Sequence, residues 1–299
     1  MNPLQIRRAR VTVEVQRPDA QGNVQDQTYV FDEHRMSISV TQGGAQFGNA
    51  KVQVYGVPLD AMNQIARLWL EVLTPTGTDK LTIDVWNGSD FVQFFSGMIT
   101  WSAVNAASMP NVSLDIEAND AGALMVQTSP PYAQEGPLNL RDILEAIAAP
   151  AGFTVNYSES IPELRLVRIR ATGTVLQQIT QILNAVPELS WYVSLQSIVV
   201  RPVNAPLGGD PVAINKTTGM ISYPVYSTSG LTVGTVFNPL IRPGVALDIT
   251  TAFDFVNRTK WIAAVLQHNL QPNTPGGQWL TQIAAQSYGS KGNTNGTQT

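Results

Sequence analysis

Apolar and polar residues alternate along this chain in short runs. Residues 9–15 ("ARVTVEV") do so, as do Met36-Ser37-Ile38-Ser39-Val40 and Lys51-Val52-Gln53-Val54-Tyr55. Far downstream, "SGLTVGTVFNPLIRPGVALDIT" (229–250) keeps an apolar character although two prolines and three glycines interrupt it. A period of two sends successive side chains to opposite faces, so each run predicts a strand with one covered face. After Tyr55 the period changes. Pro58 occupies a permissible first-turn position, and Leu59, Met62, Ile65, Ala66 and Trp69 recur at helical spacing, which predicts a helix-bearing loop over 58–70. Strands resume in "KLTIDVWNGSDFVQFFSGMITWSAVN", with a hairpin turn at 86–90 because Asn and Gly tolerate positive φ. Alternation returns over 112–116, and the block over 1–127 is expected to be a β-barrel domain.

The stretch "QTSPPYAQEGP" (127–137) has the composition of a linker. Beyond it, Asn139 is placed to cap a helix carrying Leu140, Ile143, Leu144 and Ile147 on one face, ended by Pro150 and Gly152. Residues 153–157 alternate. Thr174 then caps a second helix with Val175, Leu176, Ile179, Ile182, Leu183 and Val186 at amphipathic spacing, and "WYVSLQSIVVRP" follows as strand. Residues 137–203 therefore predict a small α/β domain with two helices on one side of a sheet. After a second linker, "RPVNAPLGGDP", strands are expected over 220–224, 231–237, 245–250, 260–267 and 279–286, forming a second β-barrel domain over 212–287. The end, 288–299, holds too few apolar residues to offset its ordering entropy and is expected to be disordered. The expected fold class is α+β, mainly β.

Only 13% of the 299 residues are charged, about half the usual share, which points to surface covered by partner subunits. The formal net charge of −4, with no basic run longer than Arg7-Arg8-Ala9-Arg10, argues against a general binder of nucleic acid or anionic membrane. Without cysteine there is no disulfide, thiolate zinc site or cysteine nucleophile. The basic start runs straight into a strand pattern instead of an apolar signal core, and no segment has the length and hydropathy of a membrane span. Sequons such as Asn87-Gly88-Ser89, Asn111-Val112-Ser113 and Asn257-Arg258-Thr259 are then incidental.

Candidate chemistry is thin. The two histidines, His34 and His268, lie in different blocks. Asp32-Glu33-His34 resembles a ligand cluster only in composition, because consecutive strand residues alternate faces, and a solvated turn is expected there. His268 is expected at a strand end on the surface. No G-x-S-x-G elbow occurs, carboxylates are scattered, and "GGAQFG" (43–48) lacks the lysine and glycine spacing of a nucleotide loop. Trp69, Trp86, Trp101, Trp191, Trp261 and Trp279 invite a stacking reading, but most fall at core-phase positions. No catalytic, cofactor-binding or metal-ligating residue is assigned, and no enzyme is expected.

Two segments carry a more specific signal. "VQVYGVPLDAMNQIARL" followed by the hairpin ending "FFSGMITWSAVN" forms one; Asn238-Pro239-Leu240-Ile241-Arg242-Pro243-Gly244 with Val265-Leu266-Gln267-His268 and Trp279-Leu280-Thr281 forms the other. Together they resemble phage baseplate hub (central tail hub) proteins of the Mu-like, late-control-D-like family, related to the N-terminal domains of type VI secretion spike scaffolds. The resemblance spans about 8–286.

It implies two tail-tube-like β-barrel domains with the small α/β domain inserted between them, and a homotrimeric ring adapting a six-fold tail tube to a three-fold central spike. Two similar β-blocks in each of three chains would present six units and reconcile the two symmetries. The implied partners are the tail tube or tube-initiator protein, the central spike, the baseplate wedge and the tape measure. Genomic DNA would pass through without specific binding and without a membrane anchor. The implied setting is the virion tail baseplate, assembled in the host cytoplasm. Asp84, Asp90, Asp115 and Glu117 are expected to include lumen-facing positions, since a neutral or acidic lumen lets DNA slide. The predicted helix over 59–70 either reaches a neighbouring barrel or plugs its own. The alternatives are a glycan-binding or adhesive tail or baseplate protein and a cell-wall hydrolase, although no hydrolase domain is recognisable.

Overall fold

The computed structural model describes residues 7–18, 23–44, 47–66, 79–107, 109–158, 160–203, 205–227 and 230–290. Along the first block run β1 (Ala9–Pro18), β2 (Val24–Phe31), β3 (Met36–Gly43), β4 (Asn49–Tyr55), β5 (Lys80–Trp86), β6 (Phe91–Asn105) and β7 (Ser113–Asn119). The middle holds short strands β8 (Tyr132–Gln134), β9 (Leu138–Asn139), β10 (Thr154–Tyr157), β11 (Arg165–Leu166), β12 (Ile169–Ala171), β13 (Leu189–Ser194) and β14 (Ser197–Pro202). The last block contains β15 (Val212–Ile214), β16 (Val225–Ser227), β17 (Gly230–Val236), β18 (Ala246–Ile249), β19 (Thr259–Leu270) and β20 (Trp279–Ser290). The result is a mixed α+β fold made mostly of strand.

The two expected barrels are not present. Among the described residues, thirteen strands from both β-blocks form one open sheet, whose main path is β16-β17-β20-β19-β3-β4-β7-β6-β5-β1-β2, with β18 and then β15 branching from β19. Closing the first block on itself would need β2 to pair with β3, but that edge of β3 is occupied by β19. The length of β19 explains how one strand serves two neighbours. Its first residues pair with β18, and its last six, Val265 to Leu270, pair with β3. A bulge between Ala263 and Val265 lies between those stretches, where an extra residue bends a strand. Strands 231–237 and 245–250, expected as members of a small barrel, lie in this open sheet as β17 and β18 and do not pair with each other.

Among the described residues, three hydrophobic cores follow from this arrangement. The first packs the buried phase of β1 and β3–β7 (Val11, Val13, Ile38, Val40, Val52, Val54, Ile83, Ile116) and recruits Phe237, Leu270 and Trp279 from beyond the seam. The second joins helices Leu140–Ala148 and Val175–Leu183 to the sheet β10-β14-β13. Their starts have the expected chemistry: the Asn139 side chain accepts from Arg141 N, and Thr174 forms a reciprocal capping box with Gln177. The third core lies among β17–β20.

Local departures have physical reasons. The predicted helix over 58–70 is helical at Leu59–Ile65, starting at Pro58 and turning extended at Ala66; Trp69 lies outside the described residues. Met62 and Ile65 are buried in the first core and Ser102 Oγ donates to Ile65 O at 2.7 Å, so this turn packs on its own sheet. The stretch 127–137 is not free linker, since β8 pairs with β12 and Thr128 bridges Thr174. The strand expected over 220–224 is a single bridge, Met220 to Thr235. Strand β20 continues through Ser290, and the remainder of the expected tail lies outside the described residues.

Candidate functional site

The face of the sheet opposite its cores carries polar side chains in rows that cross the seam. Directly opposed residues share a face, and Gln282, Gln267, Thr41, Asn49 and Asn119 align across five strands. A second row runs through Asn269, Ser39, Lys51, Glu117 and Trp101, and a third through Ser37, Gln53, Asp115 and Ala103. Pairing is dense: Asn119 Nδ2 donates to Asn49 Oδ1 at 2.9 Å, Lys51 Nζ meets Glu117 Oε1 at 2.7 Å, and Asp115 accepts from Gln53, Asn105 and Ser113. Amides and hydroxyls dominate these three rows, and their one cation, Lys51, is paired with Glu117. Such a surface offers little fixed positive charge to a phosphate backbone.

Between two of these polar rows runs a buried one: Thr281, His268, Val40, Ala50 and Ala118. His268, expected at the surface, is fully buried, because its strand phase is that of Leu266 and Leu270. Its Nδ1 is bonded to Thr281 Oγ1, and its ring meets Phe94 and Phe237 edge-on at centroid distances of 4.8 and 5.5 Å. Burial pushes its pKa down to about 3, so the ring is neutral.

Of the four expected lumen carboxylates, the sheet brings Asp115 and Glu117 together on the polar face. Asp84 lies on β5 opposite Arg10, its pKa raised by burial against the pull of that guanidinium. Asp90 is exposed in the β5–β6 turn, where its backbone N donates to Asn87 Oδ1. The face residues Thr41, Asn49, Gln267 and Gln282 escaped the sequence reading, although Gln267 and Gln282 occupy the outward phase of predicted strands; Thr41 and Asn49 lie just beyond the predicted runs 36–40 and 51–55, which the structure extends.

The other candidates disperse. Trp261 and Trp279 are buried in different cores, Trp191 packs on Phe47, and Trp86 packs on Phe91. His34 packs edge-on against Phe31, while Asp32 faces Arg10 at 3.9 Å. Among the described residues, no group of three or more His, Asp or Glu side chains could hold a metal ion. No helix among them is long and apolar enough to cross a membrane.

The segment 238–244 is a bend that ties blocks together. Asn238 O and Oδ1 accept from Ile241 N and Leu240 N, Gly244 N donates to Ala263 O, and Pro243 O accepts from the Tyr192 hydroxyl at 2.6 Å.

This architecture is that of phage tail and baseplate hub proteins. The tail protein from Neisseria meningitidis MC58 superposes with a TM-score of 0.60 at 13% identity, over 93% of this chain and 96% of that one. The 43 kDa tail protein of prophage MuSo2 from Shewanella oneidensis gives 0.57 at 9% identity, over 93% and 97%. The E. coli c3393 protein, a type VI secretion component described as structurally similar to T4 tail proteins gp27 and gp5, gives 0.58 at 9% identity, over 85% and 73%. The family model for baseplate hub gp41 matches residues 79–274, more than half of the sequence, and the chain belongs to that family. A search of curated proteins returns no match. The protein is a structural component of a phage tail or baseplate.

Proposed function

We propose that the chain forms a homotrimeric hub ring, adapting a six-fold tail tube to a three-fold central spike, with the polar sheet face lining a channel for DNA. The observation that carries this reading is the continuity of the polar rows across the β3–β19 seam: one chain presents one broad strip from two β-blocks. Three copies would supply six such contributions, which is how a three-fold ring can meet a six-fold tube. The low charge of the strip supports passage over retention, since phosphate contacts by Lys and Arg dominate DNA affinity. On the same reading, each of the three cores marks a domain, approximately 1–127, 137–203 and 212–287. The test is reconstitution with the tube and spike proteins of the same virion. Co-purification of three copies of this chain with both partners is expected, and a chain that binds neither would count against it.

A further inference from the structure

The two strands that end the main path of the sheet differ in what lies beside them: an exposed aromatic surface at one, an apolar groove at the other. Among the described strands, β16 pairs only with β17 and β2 only with β1. Next to β16 lies an aromatic surface: Tyr223, Tyr226, Phe253 and Phe255 are 66%, 39%, 45% and 53% exposed and touch one another, Tyr226 and Phe255 at 4.5 Å between centroids. Contiguous exposed apolar surface of this kind marks an interaction site.

These rings are held outward by a fixed scaffold. Asn257 clamps the loop below them, its Oδ1 accepting from Thr251 N and its Nδ2 donating to Thr251 O. Thr251 Oγ1 accepts from Phe253 N, while Trp261 Nε1 donates to Val256 O and pins the helix Asp254–Arg258 to β19. Preorganised aromatic anchors lose little entropy on docking.

At the opposite end, a groove of about 480 Å³ runs beside β2, lined by Tyr29, Val30, Phe31, Pro58 and Ala61. The charged side chains nearby are few. Lys216 lines the cleft beside Tyr223, and Arg258 below Phe253 and Phe255 is paired with Asp254 at 4.0 Å, whereas Asp60 lines the groove and Asp26 lies on β2.

We propose that the aromatic surface around β16 docks into the groove beside β2 of a second copy of this chain, end strand against end strand; this rests on the ring reading above. A contact between two different surfaces is heterologous, so repeating it generates a ring when the rotation closes. Closure gives both ends of the main path a neighbour, which reduces the aggregation hazard of exposed edges.

The test uses the full chain and two kinds of variant. Phe253→Asp with Phe255→Asp puts charge into the contact at exposed positions, and should weaken the trimer on the order of 100-fold or more. The chain has no cysteine, so introduced pairs report one contact each. Val225→Cys is combined in turn with Val24→Cys, Thr28→Cys and Val30→Cys. Paired strands bring opposed Cα atoms to about 4.5–5.5 Å, within disulfide range, so one combination should yield covalent trimer under oxidation. A trimer of unchanged mass in the aspartate variant, or Val225→Cys linking only to itself in a two-fold dimer, overturns this surface and leaves the ring reading standing. A wild-type chain that stays monomeric overturns both.

Discussion

His268 Nδ1 lies 2.9 Å from Thr281 Oγ1 at directly opposed positions of β19 and β20, in the buried row that crosses from the last block into the first. The pair stands beside Phe94 of β6 and Phe237, so a neutral polar contact sits within the packing that joins the two β-blocks.

The first prediction concerns acid. The folded chain protonates His268 only near its depressed pKa of about 3, whereas the unfolded chain does so near 6.5. Between those values the unfolded state binds more protons, so this contribution to stability is present above 6.5 and is lost as pH falls through the window, at up to about 1.4 kcal/mol per pH unit. The stability of wild type relative to His268→Phe, measured by denaturant unfolding, should fall by about 2 kcal/mol from pH 6.5 to 5. A gap that does not change with pH would contradict the buried neutral ring.

Asp120 predicts the opposite slope. Burial pushes its pKa up to about 8, and its Oδ1 has no hydrogen-bond partner among the described residues. The folded state therefore holds a proton that the unfolded state releases near 3.8, and this contribution is present at low pH and lost as pH rises towards about 8. Asp120→Asn should remove that loss. The variant is expected to gain on wild type between pH 6.5 and 8, with the shift in melting temperature as readout; equal pH profiles would refute it.

The seam can be probed at one glycine. Gly43 has φ +80°, and a Cβ there would run into Ala264 O and Pro243 at the β3–β19 contact. Gly56 has nearly the same φ, +79°, but nothing within 4 Å of a built Cβ. Gly56→Ala should cost about 1 kcal/mol for backbone strain alone, and Gly43→Ala about 2–4 kcal/mol, because strain and collision add. Equal costs in denaturant titration would mean that the seam yields easily.

The polar face predicts weak hold on DNA. Wild type should show no retention of duplex DNA at physiological salt, whereas Asp115→Lys with Glu117→Lys should bind it with an affinity that falls steeply as salt rises. Both positions are partly exposed, so folding should survive the change. Tight wild-type binding would argue against a sliding surface.

Much of the fold was legible because alternation reports which face a residue occupies. It placed most of the long strands but not β2, and capping chemistry at Asn139 and Thr174 placed both long helices. Alternation does not say which strand lies alongside which, and the free edge of β3 could equally have paired with β2 or with β19; hence the expected barrels. The burial of His268 was within reach, since it shares the phase of Leu266 and Leu270, as Thr281 shares that of Trp279 and Ile283. Polar identity outweighed position there. The raised pKa of Asp120 had no local signal, because it comes from burial in the folded chain, against the opposing pull of the Gly48 backbone.

Imaging the purified chain by electron cryomicroscopy tests the central claim most directly. The account predicts a closed ring of three copies around an open channel, with Lys51, Gln267 and Gln282 on the channel wall. Particles without three-fold symmetry, or a ring that turns this face outward, would contradict it.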